Sequence, residues 1–364
     1  MPEYNDRIKD LEAEVAKTKY NKSTQHHIGL VKAKIAKLKE KEQARGSKKG
    51  KTEGYSVRKT GDGTVLLLGF PSVGKSTLLN ALTNANSEVA AYAFTTLTCI
   101  PGLLDYKHAK IQILDVPGIV KGAASGKGRG KEVLAVMRSA DLALIIVDAL
   151  HPEHFDVLIK EVYDSGIRLN QRRPDVRVKK TAKDGLRIGR TVRTPDLSDA
   201  TLTAVLRELG INNAEVLIRE PIDVDRLIDI VEGNKVYMPS VTVINKADLV
   251  TAERLKAVKR KVRSDIEISA HKKDHTEELK DIIFNKLDLI RLYLKEPGKP
   301  ADMVEPLIVH KDATIGEVCT KLHRDFLDKF RFARVWGLSA KFDGQRVMAK
   351  HVLIDEDVLE IHLV

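Results

Sequence analysis

The nine residues GFPSVGKST, Gly69 to Thr77, carry the first recognisable chemistry in the chain. They match the G-x-x-x-x-G-K-[ST] spacing, in which glycines let backbone N–H groups approach phosphate oxygens. In that pattern Lys75 reaches the β- and γ-phosphates and Ser76 ligates Mg²⁺. Phe70, Pro71, Ser72, Val73, Gly74, Lys75, Ser76 and Thr77 are therefore candidate nucleotide-binding residues. The stretch follows the apolar run TVLLLG and precedes STLLNAL, the strand-then-helix setting that the motif requires.

Three further segments extend the constellation. LDVPG ends an apolar run, so Asp115 is placed to hold Mg²⁺ through water and Gly118 to give its N–H to a γ-phosphate. NKAD, Asn245 to Asp248, follows SVTVI. A carboxylate at Asp248 can accept two hydrogen bonds from the guanine ring N–H and exocyclic amine, a pair adenine does not offer, and Lys246 can lay its stem over the base. This argues against an ATPase. SAH, Ser269 to His271, follows DIEI, where a backbone N–H from the Ser269–Ala270 pair can meet the guanine carbonyl. YAFTTLT lies between the first two motifs; Thr96, with Thr95 as the alternative, can complete the Mg²⁺ shell and sense the γ-phosphate. The predicted catalytic set is thus Lys75, Thr96 and Gly118, and the predicted metal set is Ser76, Thr96 and Asp115. The residue after Gly118 is Ile119, where many GTP-hydrolysing switches carry a water-positioning glutamine. A slow intrinsic rate is expected. The missing element must come from a monovalent cation near Ser72, from the glycine-rich KGAASGKGRG segment with Lys127 and Arg129, or from a group supplied in trans by the ribosome.

These motifs need a scaffold of short buried strands. TVLLLG, KIQILDV, DLALIIVDA, SVTVINKAD and DIEISA read as strands of a parallel sheet covered on both faces by helices. Far more chain lies between Asp148 and Val241 than the dozen or so residues a crossover needs, so an inserted α+β domain is expected there. Its segment Gly166 to Arg193 has ten Lys/Arg against two Asp. There VRVKK and LRIGRTV alternate as half-exposed strands, which puts basic side chains in a row on one sheet face. Before the P-loop, Ile8, Leu11 and Val15, then Ile28, Val31, Ile35 and Leu38, repeat at helical spacing and predict an antiparallel hairpin. Lys32, Lys34, Lys37, Lys39 and Lys41 lie on its outer face, more simply a solvated face than a partner-binding one. ARGSKKGKTEG is a basic linker. After the Pro/Gly linker LKEPGKPADM come a strand in EPLIVHKDA and a helix opened by the Thr314/Glu317 capping box, carrying Ile315, Val318, Leu322 and Phe326. Strands in ARVWGLSAK and DVLEIHLV complete a β-grasp module.

GFPSVGKST, FTTLT, DVPGIVKGAASGKGRG and NKAD resemble the Obg-related TRAFAC GTPases. NKSTQHHIGLVKAKIAKL, VEGNKVYMP and RVWGLSAK resemble one branch, the developmentally regulated GTP-binding protein (DRG) family, and the likeness runs almost end to end. The resemblance implies a helical N-terminal region (1–50), a G domain in two parts (62–164 and 238–295), an S5D2-like insert (165–237) and a C-terminal TGS domain of β-grasp fold (302–364). It implies Mg²⁺-dependent turnover of GTP to GDP, ribosome or RNA association and, from eukaryotic members, a regulatory protein partner. The family's nucleotide residues carry over to Ser72 through Thr77, Thr96, Asp115, Gly118, Asn245, Lys246, Asp248 and Ser269. Some relatives outside this branch have an asparagine at the position of Ser72 that helps hold K⁺; serine has a shorter reach, and K⁺ is a second candidate cofactor.

Composition bounds this reading. The chain has 364 residues, 43% hydrophobic and 31% charged, which is globular rather than disordered. No apolar run approaches the roughly 20 residues of a membrane helix, and MPEYNDRIKD is too polar for a secretory leader. Cys99 and Cys319 lie far apart among apolar residues, so neither a disulfide framework nor zinc is expected, and a cytoplasmic location is. The net charge of +11 favours an anionic partner. The rival expectation is a nucleotide-regulated RNA-binding protein whose hydrolysis is incidental.

Overall fold

The computed structural model describes residues 2–19, 21, 24–46, 61–83, 100–115 and 137–364. Helices α1 (Pro2–Lys17) and α2 (Gln25–Gly46) form a hairpin. Its turn is closed by the Thr24 hydroxyl, which accepts from the Asn21 N–H at 3.0 Å and donates to the Lys19 carbonyl at 2.7 Å. Next come β1 (Gly63–Leu68), α3 (Lys75–Leu82), β2 (Ile100–Tyr106), β3 (Ala109–Asp115), β4 (Leu142–Asp148) and α4 (His154–Asp164).

The chain between Asp164 and Ser240 holds β5 (Ile167–Leu169), β6 (Val176–Lys180), β7 (Leu186–Arg190), α5 (Asp199–Glu208), β8 (Ala214–Ile218), α6 (Val224–Glu232) and β9 (Val236–Met238). It returns through β10 (Ser240–Asn245), α7 (Ala252–Val262), β11 (Ile266–Glu267) and α8 (Thr276–Lys286). Last are β12 (Leu289–Leu294), β13 (Leu307–His310), α9 (Ile315–Leu322), β14 (Phe330–Trp336), β15 (Gln345–Val347) and β16 (Val358–Leu363). The chain divides into two compact units. One holds the described residues of 1–54 and Val162–Tyr237; the other holds those of 55–123 and 131–161 together with Met238–Val364.

The larger unit is built on a six-stranded sheet of order β11-β10-β4-β1-β3-β2, parallel except for β2 at the edge. Every residue of β1, β4 and β10 is buried, as their unbroken apolar runs require when helices cover both faces. Parallel pairing sends the strand ends at Leu68, Asp115, Asp148 and Asn245 to one edge of the sheet, where ligands bind in folds of this kind. A second sheet has the order β13-β12-β16-β14-β15. Here the expected domain start at 302 shifts: β12, before the Pro/Gly linker, pairs with β13 and β16 and so belongs to the C-terminal sheet. The Thr314/Glu317 capping box is present. Helix α9 ends at Leu322, so Phe326 packs on the core from the turn beyond it rather than from the helix. Cys319 is fully buried in that core, which pushes its thiol upward.

In the smaller unit the sheet order is β6-β8-β7. The two basic strands alternate in exposure as expected, yet they are not neighbours. β8 lies between them and sets Glu215 opposite both Lys179 and Arg187, so the basic row is split by a carboxylate. Arg190 turns to the Leu197 carbonyl (2.9 Å) and to Asp199. The N-terminal lysines differ more. Lys32 pairs with Asp225 of α6 at 2.5 Å, Lys37 with the Glu208 carbonyl at 2.7 Å and Lys39 with Glu12 at 2.8 Å, so these three are ion-paired rather than free. For Lys32 and Lys37 the reason is a stripe of small residues, Gly29, Ala33 and Ala36, that lets α2 approach α5 and α6; a Cβ on Gly29 would sit 3.0 Å from the Thr201 methyl.

Candidate functional site

The loop from Gly69 to Gly74 turns β1 into α3, and its backbone explains its composition. Gly74 is the N-cap of α3 with φ 94°, and a Cβ there would lie 2.4 Å from Asn245 Nδ2. Only glycine fits such an approach. It contributes no side-chain cap, so the first-turn N–H groups of α3 remain open to an anion. Ser72 is itself left-handed, with φ 65°. Lys75 Nζ donates to the carbonyls of Gly69 (3.0 Å) and Phe70 (2.9 Å). Burial lowers its pKa, and the nearby Asp115 carboxylate partly opposes that shift. Phe70 stacks on His154 with centroids 4.4 Å apart, while Pro71, Ser76 and Thr77 are exposed and Val73 is buried.

Asp115 at the end of β3 is 3% exposed and accepts from Ser76 Oγ at 3.0 Å through Oδ2. Its Oδ1 is buried and has no hydrogen-bond partner among the described residues. A buried polar oxygen left bare is costly. A hydroxyl and a carboxylate converging beside a lysine fit a hard divalent cation such as Mg²⁺, which takes oxygen ligands. Thr95, Thr96, Gly118 and Ile119 lie outside the described residues, as do Lys127 and Arg129. Among the described residues there is no cluster of three His, Cys, Asp or Glu that could hold a metal by itself.

At the end of β10, beyond β4 from the P-loop strand, Asn245 ties two loops together. Its Nδ2 donates to the Val73 carbonyl (2.8 Å) and its Oδ1 accepts from the Ala270 N–H (3.0 Å). The Ala270 amide, one of the backbone N–H groups considered for a base carbonyl, is thus committed to Asn245. Lys246, left-handed at φ 61°, donates to the Ser72 carbonyl at 2.9 Å and to Asp148 Oδ2 at 2.6 Å. Asp148 is 5% exposed and also accepts from the Leu150 N–H (2.9 Å). The motif reading missed this residue's role. Its signal was an acid ending DLALIIVD, one strand over from NKAD in a parallel sheet, directly paired with Asn245. The Ser269 hydroxyl donates to Asp248 and, with the Lys272 ammonium 3.2 Å away, holds its carboxyl below the ordinary range. The site therefore gathers Gly69–Thr77, Asp115, Asp148, Asn245, Lys246, Asp248, Ser269 and Ala270 at one edge of the sheet.

Residues 64–180 match the family model described as a 50S ribosome-binding GTPase, 183–289 the C-terminal region of that domain, and 290–363 the TGS domain. A GTP-binding protein of Methanocaldococcus jannaschii is 52% identical over 98% of this chain and 92% of its own length. A developmentally regulated GTP-binding protein 1 homolog of Dictyostelium discoideum is 44% identical over 98% of both chains. The human developmentally regulated GTP-binding protein 2 is 42% identical over 98% of both. The chain belongs to the developmentally regulated GTP-binding protein family. It is accordingly a GTP-binding protein with a P-loop GTPase domain and a C-terminal TGS domain. The TGS match begins at 290, in step with the pairing of β12. Among the described residues, no helix is long and apolar enough to cross a membrane.

Proposed function

We propose that this family member hydrolyses GTP to GDP and phosphate, slowly on its own, and uses the two nucleotide states to control attachment to a ribosome or another RNA-rich surface. The observation that carries the nucleotide half is the pairing of an ionised Asp248, held by Ser269 and Lys272, with a P-loop roofed by Lys246. An acceptor-only carboxylate at that point selects guanine. Lys75 would exchange the Gly69 and Phe70 carbonyls for phosphate oxygens. Ser76 and Asp115, with Thr96, would hold Mg²⁺, which supplies charge neutralisation at the transferred phosphoryl group. Gly118 would meet the γ-phosphate. Ile119 has no side-chain hydrogen-bonding group, so water positioning falls to K⁺ near Ser72, to the 121–130 segment or to the partner. We place the protein in the cytoplasm, and a regulatory protein partner is in keeping with the family.

The RNA half rests on charge. Exposed Arg172, Arg173, Lys179 and Lys180 lie on or beside the β6 end of the smaller unit's sheet, and the insert carries no catalytic constellation. The test is cosedimentation of the purified protein with ribosomes in GDP and in a non-hydrolysable GTP analogue. We expect at least a threefold difference between the states. We also expect weaker binding and a flatter salt dependence when those four residues are replaced by glutamate. Binding indifferent to nucleotide would favour the incidental-hydrolysis reading. Normal binding by the fourfold variant at moderate salt would reduce the patch to a solvated face.

A further inference from the structure

Asp248 has two side-chain partners, and they differ in kind. Ser269, 3% exposed, donates its hydroxyl from the buried side. The Lys272 ammonium lies 3.2 Å from Oδ2, on a side chain that is 56% exposed against 16% for the carboxylate. The lysine is brought there by its loop. Ser269 and Asp274 bridge to each other, with the Asp274 N–H on the Ser269 carbonyl at 3.1 Å. Within that closed turn the Lys272 N–H donates to Ser269 Oγ at 3.3 Å. One hydroxyl thus fixes the lysine's backbone and contacts the carboxylate that its ammonium reaches. His271, Lys272 and Lys273 are all exposed, yet of these three only Lys272 forms an ion pair among the described residues.

Guanine presents its ring N–H and exocyclic amine side by side, one to each oxygen of a carboxylate. An ionised carboxylate has about four acceptor directions, so donor count alone would let Lys272 stay. Access decides against it. Ser269 holds the buried side, so a base must come from the open side, where the ammonium sits on Oδ2. An exposed ion pair of this kind is weak and screened by salt, which makes it removable. Hypoxanthine has the ring N–H without the amine; one oxygen satisfies it, and Oδ2 can stay with Lys272. We propose that Lys272 is a displaceable stand-in for the guanine amine, which holds Oδ2 until an amine-bearing base removes it and so narrows the margin between guanine and hypoxanthine nucleotides. The inference rests on the reading of Asp248 as the guanine acceptor and adds the residue that sets how strongly guanine is preferred.

The experiment titrates GDP and inosine diphosphate (IDP) against a fluorescent GDP on the full chain. The two nucleotides share their phosphates, so the ratio of their affinities cancels long-range charge and reads the base alone. In Lys272→Ala the preference for GDP over IDP should rise about threefold, the gain expected when a competitor worth one exposed ion pair is removed. Lys272→Met keeps the stem without the charge and should behave the same way. Lys273→Asn removes a cation from the same loop at a left-handed position, φ 59°, that asparagine tolerates; it should leave the ratio as in the wild type. At about 1 M NaCl the wild type and Lys272→Ala should converge, because screening opens the pair by itself. A ratio unchanged or lowered in Lys272→Ala, with Asp248→Asn still losing GDP, would overturn this inference and leave the role of Asp248 standing. An Asp248→Asn chain that kept its GDP affinity would instead strike the reading of Asp248, and this inference with it.

Discussion

The two ends of the nucleotide site are organised in opposite ways. At the base end every polar group of the motif is tied down: Asn245 to Val73 and Ala270, Lys246 to Ser72 and Asp148, Asp248 to Ser269 and Lys272. At the phosphate end Asp115 keeps a buried oxygen with no partner among the described residues, and Lys75 is held by carbonyls of its own loop. The difference teaches a division of labour. In the proposed function, base selectivity is built into the fold in advance, whereas the phosphate end is completed by the ligand and so can respond to it.

The comparison can be broken from the phosphate end first. Lys75→Ala removes the cation from a site crowded with anionic oxygen, and GTP affinity should fall by 100-fold or more, about 2.7 kcal/mol or greater. Fluorescent-nucleotide titration checks this, and a small effect would mean that the α3 N-terminus and Mg²⁺ suffice alone. At the base end, Asp148→Ala should act more mildly. It releases Lys246 from one of its two anchors, and both GDP and GTP should dissociate about tenfold faster, roughly 1.4 kcal/mol, with guanine selectivity intact. Asp148→Asn retains an acceptor oxygen and should recover part of that loss. A shift in GTP-to-XTP preference in Asp148→Ala would contradict a role exerted only through Lys246. The smallest effect is expected at Ile119: Ile119→Ala should change single-turnover hydrolysis by less than tenfold, because the side chain has no polar atom to lose. A collapsed rate with nucleotide affinity intact would show that isoleucine itself organises the site.

The sheet and the motifs were legible because their signals are local. Continuous apolar runs such as LALIIVD can hardly be anything but buried strands, and G-x-x-x-x-G-K-S imposes its own backbone. What escaped depends on pairing between distant segments. Glu215 interrupts the basic row because β8 slots between β6 and β7, an order no single strand encodes. The docking of α2 on α5 and α6 runs along Gly29, Ala33 and Ala36, which periodicity of large apolar residues passes over. The strand Leu289–Leu294 reads by itself as the tail of α8's domain, and only its partners β13 and β16 assign it to the C-terminal sheet. Asp148 was visible as a strand-end acid, but its job depends on Lys246 curling over from the next strand.

The central claim is that Asp248 selects guanine from a preformed corner of the fold, and nucleotide competition on Asp248→Asn tests it most directly. Exchanging the carboxylate for an amide replaces an acceptor with a mixed donor and acceptor while the ties of Asn245 and Lys246 remain. GTP affinity should drop on the order of 30-fold, about 2 kcal/mol for a bond to a charged group, and XTP should gain at GTP's expense. Unchanged GTP affinity, or an equal loss of GTP and XTP with the protein folded, would contradict the account.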